Sequence, residues 1–168
     1  MKKLSIYLGA IIALFVILFA VNQYSLQAEL DRLAEPAERL YKTSPENLEP
    51  ATRKQLTDEN YQNIILREDL DERLANGESL LVYFFSPLCS FCVESTPIYN
   101  RIANEIGVEI HQLNVLEDPE AFRHYGFDST PTLIYFENGV EKDRFVGGIA
   151  EETRQEQARQ FLVASLED

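Results

Sequence analysis

Residues 79–92 read Ser-Leu-Leu-Val-Tyr-Phe-Phe-Ser-Pro-Leu-Cys-Ser-Phe-Cys, and this stretch decides the fold. From Ser79 to Ser86 the run is continuously apolar and aromatic, the pattern of a strand buried on both faces rather than one with a wet side. Pro87 stops it, and Cys89 follows at once. Ser90 to Glu105 then changes to helical spacing, with Ile98, Ile102 and Ile106 on one face and Pro97 inside. Cys89 therefore falls where a buried strand hands over to a helix, and Cys92 lies one turn further in.

That position has chemical consequences. The first sulfur sits among unpaired N–H groups at the positive end of the helix dipole, and both favour thiolate over thiol. The second is close enough to attack a mixed disulfide formed on the first. Thiolate attack, a mixed disulfide and displacement by the neighbouring thiol make up thiol–disulfide exchange. The spacing thus marks Cys89 as the exposed nucleophile and Cys92 as the resolving thiol. Other uses of the pair fit poorly. A zinc site needs four ligands, and the chain offers only His111 and His124 besides these two cysteines. Covalent haem needs His after the second cysteine, where Val93 stands. A structural disulfide closing so short a loop stabilises little. No metal and no cofactor beyond the Cys89–Cys92 pair itself is expected.

Working outward, the elements alternate. Tyr61 to Leu66 reads as a short strand and Glu68 to Asn76 as a helix ended by Gly77. Beyond the cysteines, Val108 to Val115 is a second apolar strand, and Asp118 to Tyr125 a short helix with Pro119 in its first turn, closed by Gly126. Thr132 to Phe136 and Lys142 to Val146 are strands joined across Asn138-Gly139, a strong hairpin signal. Glu151 to Leu166 is a last helix with Phe161 and Leu162 facing inward. Crossovers first and a hairpin last give an α/β fold, a mixed central sheet with helices on both faces.

The N-terminal part is built differently. Lys2 and Lys3 precede the 18 residues from Leu4 to Val21, which carry no charge and reach the lower length limit for spanning a bilayer. Asn22 to Ala28 adds uncharged length before Glu29. Basic residues before the run and acidic ones after it place the N-terminus in the cytoplasm and the remainder outside. A cleaved signal peptide is the rival reading. The run is longer than such a peptide needs, and Leu26-Gln27-Ala28 has a large residue where a small one is wanted. Residues 1–28 are accordingly read as a cytoplasmic start and transmembrane anchor, with residues 4–28 meeting the lipid bilayer. Residues 29–57 form a helical stalk and linker. Leu26, Leu30, Leu33, Ala37 and Leu40 make an apolar stripe that could pair helices between protomers, though two heptads fall short of a coiled coil, and the favoured reading lays it against the chain's own domain. Pro36 either kinks the helix or opens a second one, and Pro45 and Pro50 mark the linker. Residues 58–168 are the domain. The net charge of -13, despite two lysines at the start, excludes nucleic acid as a partner, since phosphate backbones would repel so acidic a body.

The ordered set of motifs resembles the thioredoxin family from about Tyr61 to Leu166. The apolar strand runs into C-x-x-C, and Pro97 stands five residues after the second cysteine. Leu113-Asn114, Asp118-Pro119, Tyr125-Gly126, Thr130-Pro131-Thr132, Asn138-Gly139 and Val146-Gly147 follow in order. The resemblance implies that Pro131 is a cis-proline beside the dithiol and that Thr130 presents backbone to substrate in strand-like pairing. Two departures bear on chemistry. The family's buried Asp and its Lys partner are replaced by Tyr83 and Gln112. The Gly-Pro between the cysteines is replaced by Ser90-Phe91, which retunes the redox pair, and the preceding Trp by Leu88. The dithiol potential is therefore not transferable, relatives spanning about -270 to about -120 mV. Within the family the pattern is most similar to small membrane-anchored, extracytoplasmic thiol–disulfide oxidoreductases of bacteria, the Bdb type among them. That likeness implies protein thiols or disulfides of exported proteins as partners, together with a membrane redox partner. The alternative of another class is a tethered, chaperone-like module holding unfolded exported chains in the Pro131 groove.

Overall fold

The computed structural model describes residues 2–166. In chain order the elements are α1 (Lys2–Tyr41), α2 (Pro50–Arg53), α3 (Arg67–Ala75), β1 (Leu80–Phe85), α4 (Ser90–Ile106), β2 (Ile110–Asn114), α5 (Ala121–His124), β3 (Thr132–Glu137), β4 (Val140–Val146) and α6 (Glu152–Ala164). The four strands lie in the order β2-β1-β3-β4. β1 pairs parallel with β2 and antiparallel with β3, and β3 pairs antiparallel with β4. The mixed α/β sheet expected from the sequence is present.

β1 is buried along its whole length because both sheet faces are covered. Leu81, Tyr83 and Phe85 point into a core shared with Tyr99 and Ile102 of α4 and Ala158 and Leu162 of α6. Leu80, Val82 and Phe84 point the other way, onto Leu70 of α3, Ala121 of α5 and Phe127. Period-two alternation thus feeds two apolar layers from one strand. The β3–β4 turn carries Asn138 at φ 51 and Gly139 at φ 79, the two left-handed positions that a tight hairpin requires. A Cβ on Gly139 would lie 2.0 Å from the Leu74 carbonyl oxygen, so the site admits only glycine.

Three local expectations are corrected. Tyr61–Leu66 is not a strand: a 3-10 turn occupies Glu59–Tyr61, and only an isolated parallel bridge, Ile64 with Gln112, follows. Asp58 caps that turn through the Asn60 N–H at 2.9 Å, and the Asn63 side chain takes the Ile110 carbonyl at 2.7 Å. A side-chain donor replaces the next ladder bond, which cuts the strand short. Pro36 does not open a second helix. It is buried within a single 40-residue helix. The Pro costs one ladder bond, and packing of Leu33, Ala37 and Leu40 on this face offsets it. Finally, residues 43–57 are not an open linker. They form a 3-10 turn at Pro45–Asn47 and then α2, with Leu48 and Leu56 packed under α1.

The C-terminal part of the α1 stripe, Leu33, Ala37 and Leu40, lies on its own body, while Leu26 is exposed. Tyr41 and Thr52 both accept from Asn114 Nδ2, at 3.2 and 3.0 Å, which ties the end of α1 to the end of β2. Towards the N-terminus, Ile11–Tyr41 is long and apolar enough to cross a bilayer, with an 18-residue window of mean hydropathy 1.8 and none of it buried. Length and composition fit a membrane anchor and a signal sequence alike.

Candidate active site

β1 delivers the chain to the rim of the sheet, and a short turn aims it into α4. Ser86 anchors that turn, its hydroxyl oxygen accepting from the Leu88 N–H at 3.2 Å and its carbonyl from the Cys89 N–H at 3.1 Å. Cys89 is the N-cap of α4, with extended backbone at φ -87, ψ 113. Its carbonyl accepts from the N–H groups of Cys92 and Val93 at 3.0 and 3.1 Å. Cys89 is partly exposed, whereas Cys92 is buried in the layer of Tyr83 and Tyr99.

Opposite the sulfurs stands the loop before β3. The Thr130–Pro131 peptide bond is cis, and Cys89 Sγ donates to the Thr130 carbonyl oxygen at 3.3 Å. The Pro131 carbonyl in turn accepts from the Gly147 N–H at 2.8 Å. Cys89, Cys92, Thr130 and Pro131, separated by some forty residues of chain, therefore meet in one place. Ser90 and Phe91 lie between the sulfurs in sequence and both face solvent. Leu88 (71% exposed), Phe91 (62%) and Val146 (46%) add apolar surface around the dithiol. His111 is engaged with Arg73, and His124 with Asp71.

The two thiols are driven apart electrostatically. Burial pushes Cys89 up, but hydrogen bonds from Cys92, the Thr130 side chain and the N–H groups of Cys92 and Phe91 outweigh it, leaving this thiol below its ordinary value. Cys92 is pushed up to about 12, chiefly by burial and further by the neighbouring Cys89. One sulfur is thus disposed to ionise while the other keeps its proton.

Behind Cys92 stand hydroxyls that no motif in the sequence singles out. The Thr96 hydroxyl donates to the Cys92 carbonyl at 2.7 Å, and Tyr83 lies near both. Ser95 Oγ accepts from the Ile149 N–H at 3.0 Å and so pins the loop after β4 to α4. Ser95 and Thr96 sit just before Pro97, three and four residues after Cys92, and that helical spacing was the only available signal. Gln112 is buried, its Nε2 donating to Asn60 O at 2.8 Å and to Asn100 Oδ1 at 3.3 Å, while its Oε1 has no partner among the described residues.

A C-x-x-C at a strand-to-helix junction of a mixed α/β sheet thus faces a cis-proline loop. The chain belongs to the thioredoxin family, whose model matches residues 53–160. It is 30% identical over 110 residues to thioredoxin M4, chloroplastic, of Arabidopsis thaliana, a match covering 64% of this chain and 53% of that one. It is 34% identical over 94 residues to a thioredoxin of Rickettsia bellii, covering 55% of this chain and 82% of the other. The chain therefore spans about half the length of the chloroplast relative and most of the bacterial one. Among solved structures, the J-Trx1 fragment of ERdj5 superposes with a TM-score of 0.53 at 23% identity, over 69% of this chain and 56% of that one, which supports the fold alone.

Proposed function

We propose that this chain exchanges disulfides with exported or cell-surface proteins, its domain (residues 58–168) held outside the membrane by residues 4–28, with the N-terminus in the cytoplasm. The observation that carries the site reading is the contrast between the sulfurs: Cys89 is accessible with its thiol lowered, and Cys92 is buried with its thiol raised. Cys89 thiolate attacks a substrate disulfide, forming a mixed disulfide and releasing one substrate thiolate. Cys92 then loses its proton and attacks the Cys89 sulfur. The Cys89–Cys92 disulfide forms, and the substrate leaves as a dithiol, reduced by two electrons. Run backwards, the same steps oxidise a substrate. Net turnover needs a partner dithiol or disulfide, and a membrane redox protein fits a tethered domain. Thr130 and Pro131 present backbone to the substrate, and Ser90 and Phe91 tune the pair. The continuous helix running from the apolar segment into the docked stripe supports a retained anchor.

Cys89→Ser and Cys92→Ser variants of the full chain in detergent test the roles. Cys92→Ser should accumulate mixed disulfides and Cys89→Ser should form none. Mixed disulfides forming on Cys92 alone would overturn the assignment. The exposed apolar residues around the dithiol also favour a second reading, the holding of unfolded chains, which Cys89→Ser should leave intact. Labelling of single cysteines placed at 2 and 168 with a membrane-impermeant maleimide tests orientation, the reading requiring label at 168 only.

A further inference from the structure

Arg154, in the first turn of α6, makes contacts that the exchange chemistry leaves unused. Its guanidinium carbon lies 4.2 Å from the Phe145 ring centroid. Its Nη2 donates to the Val146 carbonyl at 2.5 Å, its Nε to the Gly148 carbonyl at 3.4 Å, and its Nη1 to Gln157 Oε1 at 3.0 Å. Between those two carbonyls the Gly147 N–H reaches the Pro131 carbonyl at 2.8 Å. Gly147 is at φ +96, and a Cβ there would stand 3.4 Å from Arg154 Nη2. On its other side the strip abuts α4: a Cβ on Gly148 would lie 3.3 Å from both Phe91 Cβ and Ser95 Oγ. Residues 146–149 therefore join the Pro131 loop to the helix that carries the dithiol.

Two adjacent glycines give this strip little side-chain packing and much conformational freedom to lose. A planar, permanently charged guanidinium, stacked on an aromatic ring and forked onto two carbonyls, removes that freedom in a way a point charge cannot.

We propose that Arg154 is a positioning residue for substrate capture, clamping Val146–Gly148 against Pro131 so that the groove beside Cys89 is formed before an extended substrate chain enters it. The inference rests on the exchange reading of this site. Its hydrogen bonds go to carbonyls and Gln157 rather than to either sulfur, so its loss acts on binding and not on thiolate reactivity.

The test uses the full chain in detergent, dithiothreitol as electron donor, and two probes: insulin and a small aromatic disulfide. Arg154→Gln should raise KM for insulin about 3- to 10-fold, because ordering the strip is then charged against binding. Its kcat and its rate with the small disulfide should stay within about twofold of wild type. Amide exchange at Gly147 should quicken about tenfold as the strip opens locally. Arg154→Lys keeps the charge and the stem, should fold in any event, and should recover only part of the KM. An unchanged KM in Arg154→Gln, a parallel loss with both probes, or full recovery in Arg154→Lys would each overturn the clamp. A wild-type chain that moves no electrons to insulin would instead refute the exchange reading.

Discussion

Tyr83 stands opposite Gln112 in the parallel β1–β2 register, so two uncharged side chains occupy the positions behind Cys92. The Tyr83 phenol is held well above its ordinary value, by burial first and by the adjoining Cys92 next, and stays protonated wherever exchange runs. No carboxylate is among the largest influences on Cys92 from the described residues. The pH profile of exchange should therefore follow the thiols, without a separate acid step between about pH 4 and pH 7. Stopped-flow rates across that range check it. A titration that persists after Cys89 is alkylated would show that another buried acid serves the site.

Alkylation separates the two sulfurs. Cys89 lies below the ordinary thiol value and Cys92 near 12, so iodoacetamide at neutral pH should modify Cys89 almost exclusively. The thiolate is the nucleophile, so labelling of Cys89 should reach its half-maximal rate at a lower pH than labelling of a free cysteine measured alongside it. Peptide mapping of the reduced protein reads the outcome, and preferential label on Cys92 would reverse the roles.

The junction between α1 and the body turns on one amide. Asn114 Nδ2 serves both Tyr41 and Thr52, and all three residues are buried. Asn114→Ala leaves two hydroxyls without that donor, at a cost of about 1–3 kcal/mol. Cleavage by trypsin after Lys42 or Arg53 should accelerate while Cys89 labelling keeps its rate. Unchanged proteolysis would mean that Leu33, Leu40 and Leu56 alone hold the helix down.

Parts of this architecture were legible because composition or a single turn decided them. β1 declared burial on both faces through an unbroken apolar run, and Asn138-Gly139 declared the hairpin because few residue pairs take two left-handed positions. Other parts depend on contacts that no local pattern records. Tyr61–Leu66 alternates like a strand, yet Asn63 diverts a carbonyl of β2 to its side chain. Pro36 looks like a breaker until the buried face around it is seen. The meeting of Cys89 with Thr130 spans 41 residues and was accessible only through family resemblance, whereas Thr96 and Arg154 act on carbonyls that tertiary packing brings to them.

The uncharged pair behind Cys92 can be exchanged for a charged one, because acceptors for a new cation already stand there. In Tyr83→Asp/Gln112→Lys the new ammonium inherits the Asn60 carbonyl and Asn100 Oδ1, both in place around Gln112. The new carboxyl is shorter than the phenol it replaces and opens onto the space that the phenol oxygen leaves, 3.4 Å from the Thr96 hydroxyl. Burial favours its neutral form, so it should titrate above the usual aspartate value of about 3.9. There it can accept the Cys92 proton during attack on the mixed disulfide, and resolution near neutral pH should quicken by about tenfold or more. The cost is a lost core aromatic, packed against Tyr99 at 4.9 Å and Phe85 at 5.9 Å between centroids. By analogy with large-to-small core changes that is about 3–5 kcal/mol. Because the folded carboxyl holds its proton more tightly than the unfolded one, its contribution to stability is present in full below about pH 3.9 and lost as pH rises through the raised value. The melting-temperature deficit relative to wild type should therefore widen from acid to neutral pH. Stopped-flow resolution and thermal melts over one pH series measure both effects. A double variant that melts lower at every pH but resolves no faster would show that the wild-type site delivers the Cys92 proton by a route a nearby carboxylate cannot improve.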